Sequence, residues 1–307
     1  MAHVKSAFQP KFQNTFYYFV GIGFVSLAKA KHLLKGYSSP KPFAVSEYEK
    51  SIKYDIGVVE NWLPNLRNYT KGNYNLVGKR ILELGPGSDL GVGLYLLSKE
   101  IAQYNAIDIN NLVKTVPPRF YELFFEYLQK IDDKSDIEFL KGELTKTNAG
   151  NNDKLNFICR NDFDISSAFD KNSIDIVFSQ AAFEHFDDID KTVRQLSLVV
   201  KSGGIIIAEI DLQTHSRWIR DKDPNNIYRY NQTIYNLFRF SGTPNRVRPY
   251  RYKNSFEKHG WKNVSIMPLT RLTEDGLYRL ANSLHRDFSD EINQMEYLTI
   301  ILCATKI

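Results

Sequence analysis

The sequence predicts an α/β protein: a doubly wound, mostly parallel seven-stranded sheet with an antiparallel C-terminal strand and an N-terminal helical extension. Three observations carry this. From residue 79 onward, short apolar runs alternate with amphipathic segments, the pattern of a parallel sheet covered on both faces. The first apolar run passes through a glycine-containing turn, ELGPGSDLG at 83–91, into a helical segment. Two further strand-like runs, WKNVSIMPL (261–269) and EYLTIILCATKI (296–307), close the chain.

Each element follows from its residues. Tyr48, Ile52, Ile56, Val59, Leu63 and Leu66 recur at helical spacing over 46–69, with Ser46 as N-cap and Glu49 completing a capping box. RILEL (80–84) is a short buried strand, LGVGLYLLSKEI (90–101) a helix and QYNAIDI (103–109) a second strand. The aromatic helix at 116–131 suits core packing better than a wall for substrate. KGELTKTNAGNNDK (141–154) reads as a surface loop. LNFICR (155–160) and SIDIVFSQ (173–180) are strands, IDKTVRQLSLVV (189–200) is an amphipathic helix, and GGIIIAEIDL (203–212) is a strand started by the Gly203-Gly204 turn. YSSPKPF at 37–43 reads as a linker. The chain thereby divides into a basic, apolar arm over 1–45 and an α/β domain over 46–307. Within that domain, 79–212 is the ligand-binding core and 213–307 holds the substrate side and the C-terminal strands.

Composition excludes several classes. The 307 residues include 41 aromatics, far too much buriable surface for a disordered chain. Cys159 and Cys303 both lie in apolar runs and read as small buried hydrophobes in a reducing compartment, not as a disulfide frame. No Cys/His spacing suggests a metal site. The net charge is +5, but residues 1–45 carry six lysines and no acid, leaving the other 262 residues at −1. A basic body for nucleic acid is therefore absent.

Residues 16–28, FYYFVGIGFVSLA, form an uncharged run of thirteen residues. As a helix it spans ~20 Å, short of a ~30 Å hydrocarbon core. Three readings stand: a helix packed on the protein's own body, a membrane-surface helix with lysines near anionic headgroups, and a signal segment with Ala28-Lys29-Ala30 as a cleavage site. Peripheral membrane contact, if made, runs through residues 1–35.

The turn at 83–91 lies where a doubly wound sheet binds ligand, at the carboxyl ends of its strands. Gly85 and Gly87, with Pro86 between them, let the backbone turn sharply. Asp108 follows 21 residues after Gly87, at the end of the second strand with Ile109 beside it, and can accept both hydroxyls of a ribose. Asp162, after the third strand, can reach an adenine amino group. The glycine spacing G-x-G-x-x-x-G differs from the nicotinamide pattern G-x-G-x-x-G. Glu83 beside the loop would repel a pyrophosphate but not a cationic sulfonium.

These segments, with IDIVFSQAAFEHFDD (174–188), LVVKSGGIIIAEIDLQTH (198–215) and NRVRPYRYKNSFEKHGW (245–261), resemble class I S-adenosylmethionine-dependent methyltransferases, in particular a bacterial subgroup with an LELGPGxSLG-type first motif. The resemblance covers roughly 79–265; Ser202 and Thr214 depart from its pattern. It implies a Rossmann-like methyltransferase fold, S-adenosylmethionine as cofactor and a cytoplasmic location, with or without membrane association. It implies that Glu83, Gly85 and Gly87 line the methionine part, that Asp108 binds ribose, and that Asp162 and Phe163 flank adenine. Ser179 and Gln180 would face the methyl group.

A sulfonium methyl is already activated, so holding the acceptor in line supplies much of the catalysis. A base is needed only for a poor nucleophile such as an alcohol. His185 follows strand four and His215 follows strand five, so both can reach the crevice; the competing readings are a structural histidine and a loop histidine capping Asp211. Glu184 reads as a helix-start residue and Asp187-Asp188 as a cap. Arg246, Arg248 and Arg251 with Tyr250 and Tyr252 read either as an anion site or as a solvated loop. The expected activity is methyl transfer to a small molecule, carbohydrate or lipid precursor, at oxygen. RNA methylation and a non-catalytic cofactor-binding module are the alternatives. SQAA (179–182) replaces the N/D-P-P-[YF] loop that a nucleobase amino-methyltransferase needs.

Overall fold

The computed structural model describes residues 11–35, 47–281 and 283–307. Its helices are α1 (Lys11–Lys35), α2 (Tyr48–Tyr69), α3 (Gly91–Leu97), α4 (Pro118–Ile131), α5 (Ile137–Asn148), α6 (Ile165–Ala168), α7 (Ile189–Val199), α8 (Arg217–Arg220), α9 (Gln232–Phe238), α10 (Pro249–Lys258) and α11 (Glu274–Ala281). Its strands are β1 (Arg80–Leu84), β2 (Gln103–Asp108), β3 (Leu155–Cys159), β4 (Ile174–Gln180), β5 (Val200–Asp211), β6 (Trp261–Arg271) and β7 (Tyr297–Lys306). They form one sheet in the order β3-β2-β1-β4-β5-β7-β6. β1 to β5 pair in parallel, and β7 runs antiparallel to β5 and β6. This is the Rossmann-like methyltransferase fold expected from the sequence. Strand order reverses at β1, so the carboxyl ends of β1 and β4 flank the ligand crevice.

The continuous apolar runs make sense once both faces are seen to be covered. Ile81 of β1 and Ile205 and Ile207 of β5 pack with α2–α5, whereas Leu82, Leu84, Ile206, Ala208 and Ile210 pack with α6, α7 and α10. On α4, Phe120, Tyr121, Phe124, Phe125 and Leu128 are buried, so this aromatic helix is core. Pro118 opens it, where its missing N–H has no helical partner to lose. Both cysteines are free thiols.

The structure departs from expectation in several places. Residues 141–148 are not loop but the body of α5. Asp136 caps that helix by accepting from Phe139 N at 3.0 Å, and Leu140 and Leu144, four apart, bury its inner face. β5 begins at Val200, and Gly203-Gly204 lies within it, where the register to β4 shifts. The linker at 37–43 and the Ser46 cap fall outside the described residues; α2 begins at Tyr48.

Residues 213–247 fold into a small third core of Ile227, Tyr228, Tyr230 and Tyr235, closed by Leu280, Phe288 and Met295. The arginines here are neither an open anion site nor a solvated loop. Arg246 and Arg248 are buried. Arg246 donates to the Ile227 and Tyr230 carbonyls at 3.1 and 2.7 Å, under the Tyr235 ring. Arg248 donates to the carbonyls of Asn293, Gln294 and Tyr297 at 2.9, 2.6 and 3.1 Å. They pin one loop to another. Arg251, exposed, lies against Tyr250.

α1 lies on this third core. Asn226 Nδ2 donates to the Tyr17 carbonyl at 2.9 Å, Tyr230 donates to the Tyr18 carbonyl at 3.2 Å, and Lys29 Nζ donates to the Leu237 carbonyl at 2.6 Å. Gly21 permits the approach: a Cβ there would sit 2.0 Å from Asn226 Oδ1. Among the described residues no helix is long and apolar enough to cross a membrane.

Candidate active site

The glycine turn leaves β1 with Gly85 at φ +70° and Gly87 at φ +83°, conformations an L side chain rarely adopts. Gly85 N donates to the Ile107 carbonyl at 3.0 Å, which ties the turn to β2. Gly85, Pro86 and Gly87 remain half-buried, open to the crevice. Asp108 ends β2 beside them. Its Oδ1 accepts from Asn110 N at 2.8 Å. Burial raises its carboxyl pKa, opposed by the N–H groups of Asn110, Ile109 and Gly87. Turn, acid and Ile109 therefore lie together at the carboxyl ends of β1 and β2.

Glu83 does not line the open crevice. The strand's period of two turns it away from Leu82 and Leu84, and it is fully buried beneath the turn, accepting from Tyr104 Oη at 2.5 Å. Burial pushes its pKa up to about 8, the Tyr104 hydrogen bond opposing, with Asp89 and Asp108 adding to the rise. It therefore lies beneath the glycine turn rather than in the open crevice. Asp162 is exposed and gripped by Arg160, Nε at 2.9 Å and Nη2 at 2.8 Å. That ion pair holds its carboxyl well below the usual range. Phe163 takes a left-handed φ of +46°, with its ring 4.9 Å from Phe186. Ser179 is fully buried, its hydroxyl 3.5 Å from the Leu84 carbonyl, while Gln180 is half-buried at the strand end. Ala181 follows at φ +50°, strained for a residue with a Cβ.

The two histidines meet. His185 sits in the one-turn helix Phe183–His185 after β4, His215 four residues past Asp211, and their rings are 4.9 Å apart and nearly perpendicular. Asp211 Oδ2 lies 3.6 Å from His215 Nε2 and 2.8 Å from Arg220 Nη1. Burial lowers both imidazole pKa values. His215 falls to about 4, with His185 and Arg220 adding to the effect and Asp211 opposing it. Both rings are therefore neutral at pH 7. Sequence reasoning underweighted Glu184. It does start a short helix, but it is buried, and neither of its oxygens has a hydrogen bond; His185 Nδ1 and His215 Nε2 also lack one. Burial holds the Glu184 carboxyl well above its ordinary pKa. Ligand-type atoms of Glu184, His185 and His215 lie within 4.8 Å of one another, a set that could hold a cation or a polar acceptor atom. Spacing could not reveal it, because the residues come from two strand ends. Glu209, bonded by Asn61 Nδ2 of α2 at 2.8 Å, was likewise without a local signal.

Fold and site thus define an α/β protein with a glycine turn and an acid at the carboxyl ends of β1 and β2 and a buried histidine pair past the ends of β4 and β5. Residues 131–208 match the family described as a methyltransferase domain. That stretch holds β3, β4, the His185 turn and most of β5, and the glycine turn precedes it. No curated protein matches the sequence. Among solved structures, the chain is similar to Haemonchus contortus phosphoethanolamine N-methyltransferase 2 in complex with S-adenosyl-L-methionine. The identity is 13% and the TM-score 0.45, over 94% of this chain and 57% of that one. It is also similar to geranyl diphosphate C-methyltransferase from Streptomyces coelicolor A3(2), with 12% identity and TM-score 0.45, over 88% of this chain and 87% of that one. The chain spans a little over half the length of the first of these.

Proposed function

We propose that the protein transfers the methyl group of S-adenosylmethionine to an oxygen of a small molecule, carbohydrate or lipid precursor. The observation that carries this reading is that one edge of the sheet bears two features: the Gly85–Gly87 turn beside Asp108 after β1 and β2, and the buried pair His185 and His215 past the ends of β4 and β5. The residues fit the cofactor. The left-handed turn leaves backbone without side chains where a methionine chain would lie, and Asp108 presents a half-buried acceptor to a ribose. When bound, S-adenosylmethionine supplies a cationic sulfonium whose methyl is the electrophile.

Asp108 would orient the nucleoside, with Ile109 and Phe163 against the adenine and Asp162 at its edge. Asp162 must first loosen its grip on Arg160. Gln180 and Ala181, at the end of β4, would border the reacting centre. The acceptor hydroxyl would sit against an unpartnered imidazole nitrogen, which would take up its proton. Asp211, beside His215, stabilises the imidazolium that results. Residues 46–307 would be the catalytic domain, with 213–307 forming the acceptor side, and the arm would offer a peripheral membrane contact. The test is transfer of labelled methyl from S-adenosylmethionine into fractionated cell extract. Label recovered as a methyl ether or methyl ester of a small molecule supports the reading; label on nitrogen or carbon, or in protein or RNA, overturns it.

A further inference from the structure

α1 is apolar on two sides: Tyr18 and Ile22 pack on the third core, and a second apolar stripe faces outward. Gly21, Tyr17 and Tyr18 turn toward the third core. Phe16, Phe19, Gly23, Leu27, Ala30 and Leu34, spaced three or four apart, are all exposed. Such spacing makes one straight stripe, and the nineteen residues from Phe16 to Leu34 extend it over ~27 Å. Two body residues continue it. Trp218 of α8, 80% exposed, stacks parallel to Phe24 at 6.5 Å, and exposed Leu237 belongs to the residue whose carbonyl Lys29 binds. A stripe of this size is not left to water without a partner. Charge identifies that partner: residues 1–45 carry six lysines and no acid, and exposed Lys31 adjoins one end of the stripe. A lysine-flanked apolar helix edged by tryptophan suits an anionic lipid surface.

The stripe is also joined to the site. α8 begins two residues after His215; Trp218 faces out beside α1, and Arg220 faces in to hold Asp211 at 2.8 Å. We infer that α1 and Trp218 seat the protein on an anionic bilayer, and that its methyl acceptor is an amphiphile drawn from that bilayer past α8 to the histidine pair. The docking rests on the surface alone; the acceptor class rests on the methyl-transfer reading above.

The experiment uses the full chain with phosphatidylcholine vesicles, with and without phosphatidylglycerol. Trp62 and Trp261 are buried, so a change in tryptophan emission reports Trp218. The expected result is co-sedimentation and a blue shift with anionic vesicles only, both weakened by salt. A Phe19→Ser/Leu27→Ser variant, altered only at exposed positions, should partition at least about tenfold more weakly. Trp218→Phe should lose the blue shift while still sedimenting. Absence of sedimentation with anionic vesicles overturns the docking. So does a dimer seen by light scattering that the double variant dissolves while neither form binds vesicles, since the stripe would then belong to a second copy. Labelled methyl recovered only in water-soluble products overturns the acceptor class. Calorimetry with S-adenosylmethionine, run without vesicles, separates the two readings. Cofactor binding without vesicle binding sinks only the docking, and vesicle binding without cofactor binding sinks only the methyl-transfer reading.

Discussion

Replacing Glu83 with glutamine probes the electrostatics beneath the glycine turn. Glu83 is fully buried and its pKa rises to about 8, from 4.5 for the free side chain, chiefly through loss of solvation. Its folded-state pKa thus lies above its unfolded one. Between those values the unfolded chain has released a proton that the folded chain still holds. Stability attributable to Glu83 is present below about pH 4.5 and is lost as pH rises toward 8. At ~1.4 kcal/mol per pH unit, the interval from about pH 5 to about pH 7.5 removes on the order of 3 kcal/mol. Glutamine keeps the size and can accept from Tyr104 Oη, but it does not titrate. Urea unfolding of both proteins at the two pH values measures the effect. The variant should gain on the wild type by roughly 2–3 kcal/mol across the interval. A stability difference that stays constant with pH would refute the reasoning, showing that Glu83 is solvated or already ionised in the fold.

The histidine pair gives a second pH test. Burial places the folded pKa of His215 near 4, below the ordinary 6.5, so its contribution to stability is present above pH 6.5 and lost as pH falls toward 4. Turnover should accordingly persist well below pH 6.5. His185→Gln and His215→Gln should each lower turnover by ~10²–10⁴-fold while calorimetry shows cofactor affinity nearly unchanged; wild-type turnover in both variants excludes an imidazole base. Gly21→Leu drives a side chain into Asn226 and Tyr230, and should release α1 from the body, seen as faster proteolysis within 11–35. Arg248→Ala strips the donor from three carbonyls between Asn293 and the start of β7 and should cost on the order of 3–5 kcal/mol in urea unfolding. Arg248→Lys should not rescue it, because an ammonium cannot reproduce the planar fork.

The sheet was legible because its strands are short β-rich runs set between helices, and the turn because Gly85, Gly87 and Asp108 lie close in sequence to the elements that position them. α5 was not legible: its polar surface resembles a loop, and only the Leu140–Leu144 pair and the Asp136 cap betray a helix. His185 and His215 could each be placed at a strand end, but their 4.9 Å approach and the unpartnered Glu184 beneath depend on neighbouring strands lying side by side. Arg246 and Arg248 misled because buried arginine is uncommon; their partners are carbonyls, which leave no trace in side-chain patterns. Sequence alone shows neither the burial of Glu83 nor its Tyr104 partner, and that burial is what raises its pKa.

The central claim is that the crevice between the glycine turn and Asp108 holds S-adenosylmethionine. Titration calorimetry of the full chain, beside Asp108→Ala, tests it most directly. Asp108→Ala removes the ribose acceptor and leaves the turn intact, so the account predicts saturable one-to-one binding of S-adenosylmethionine or its demethylated product, weakened in the variant by on the order of 1–3 kcal/mol. Tight binding of NAD with none of S-adenosylmethionine, or equal S-adenosylmethionine affinity in both proteins, would contradict it.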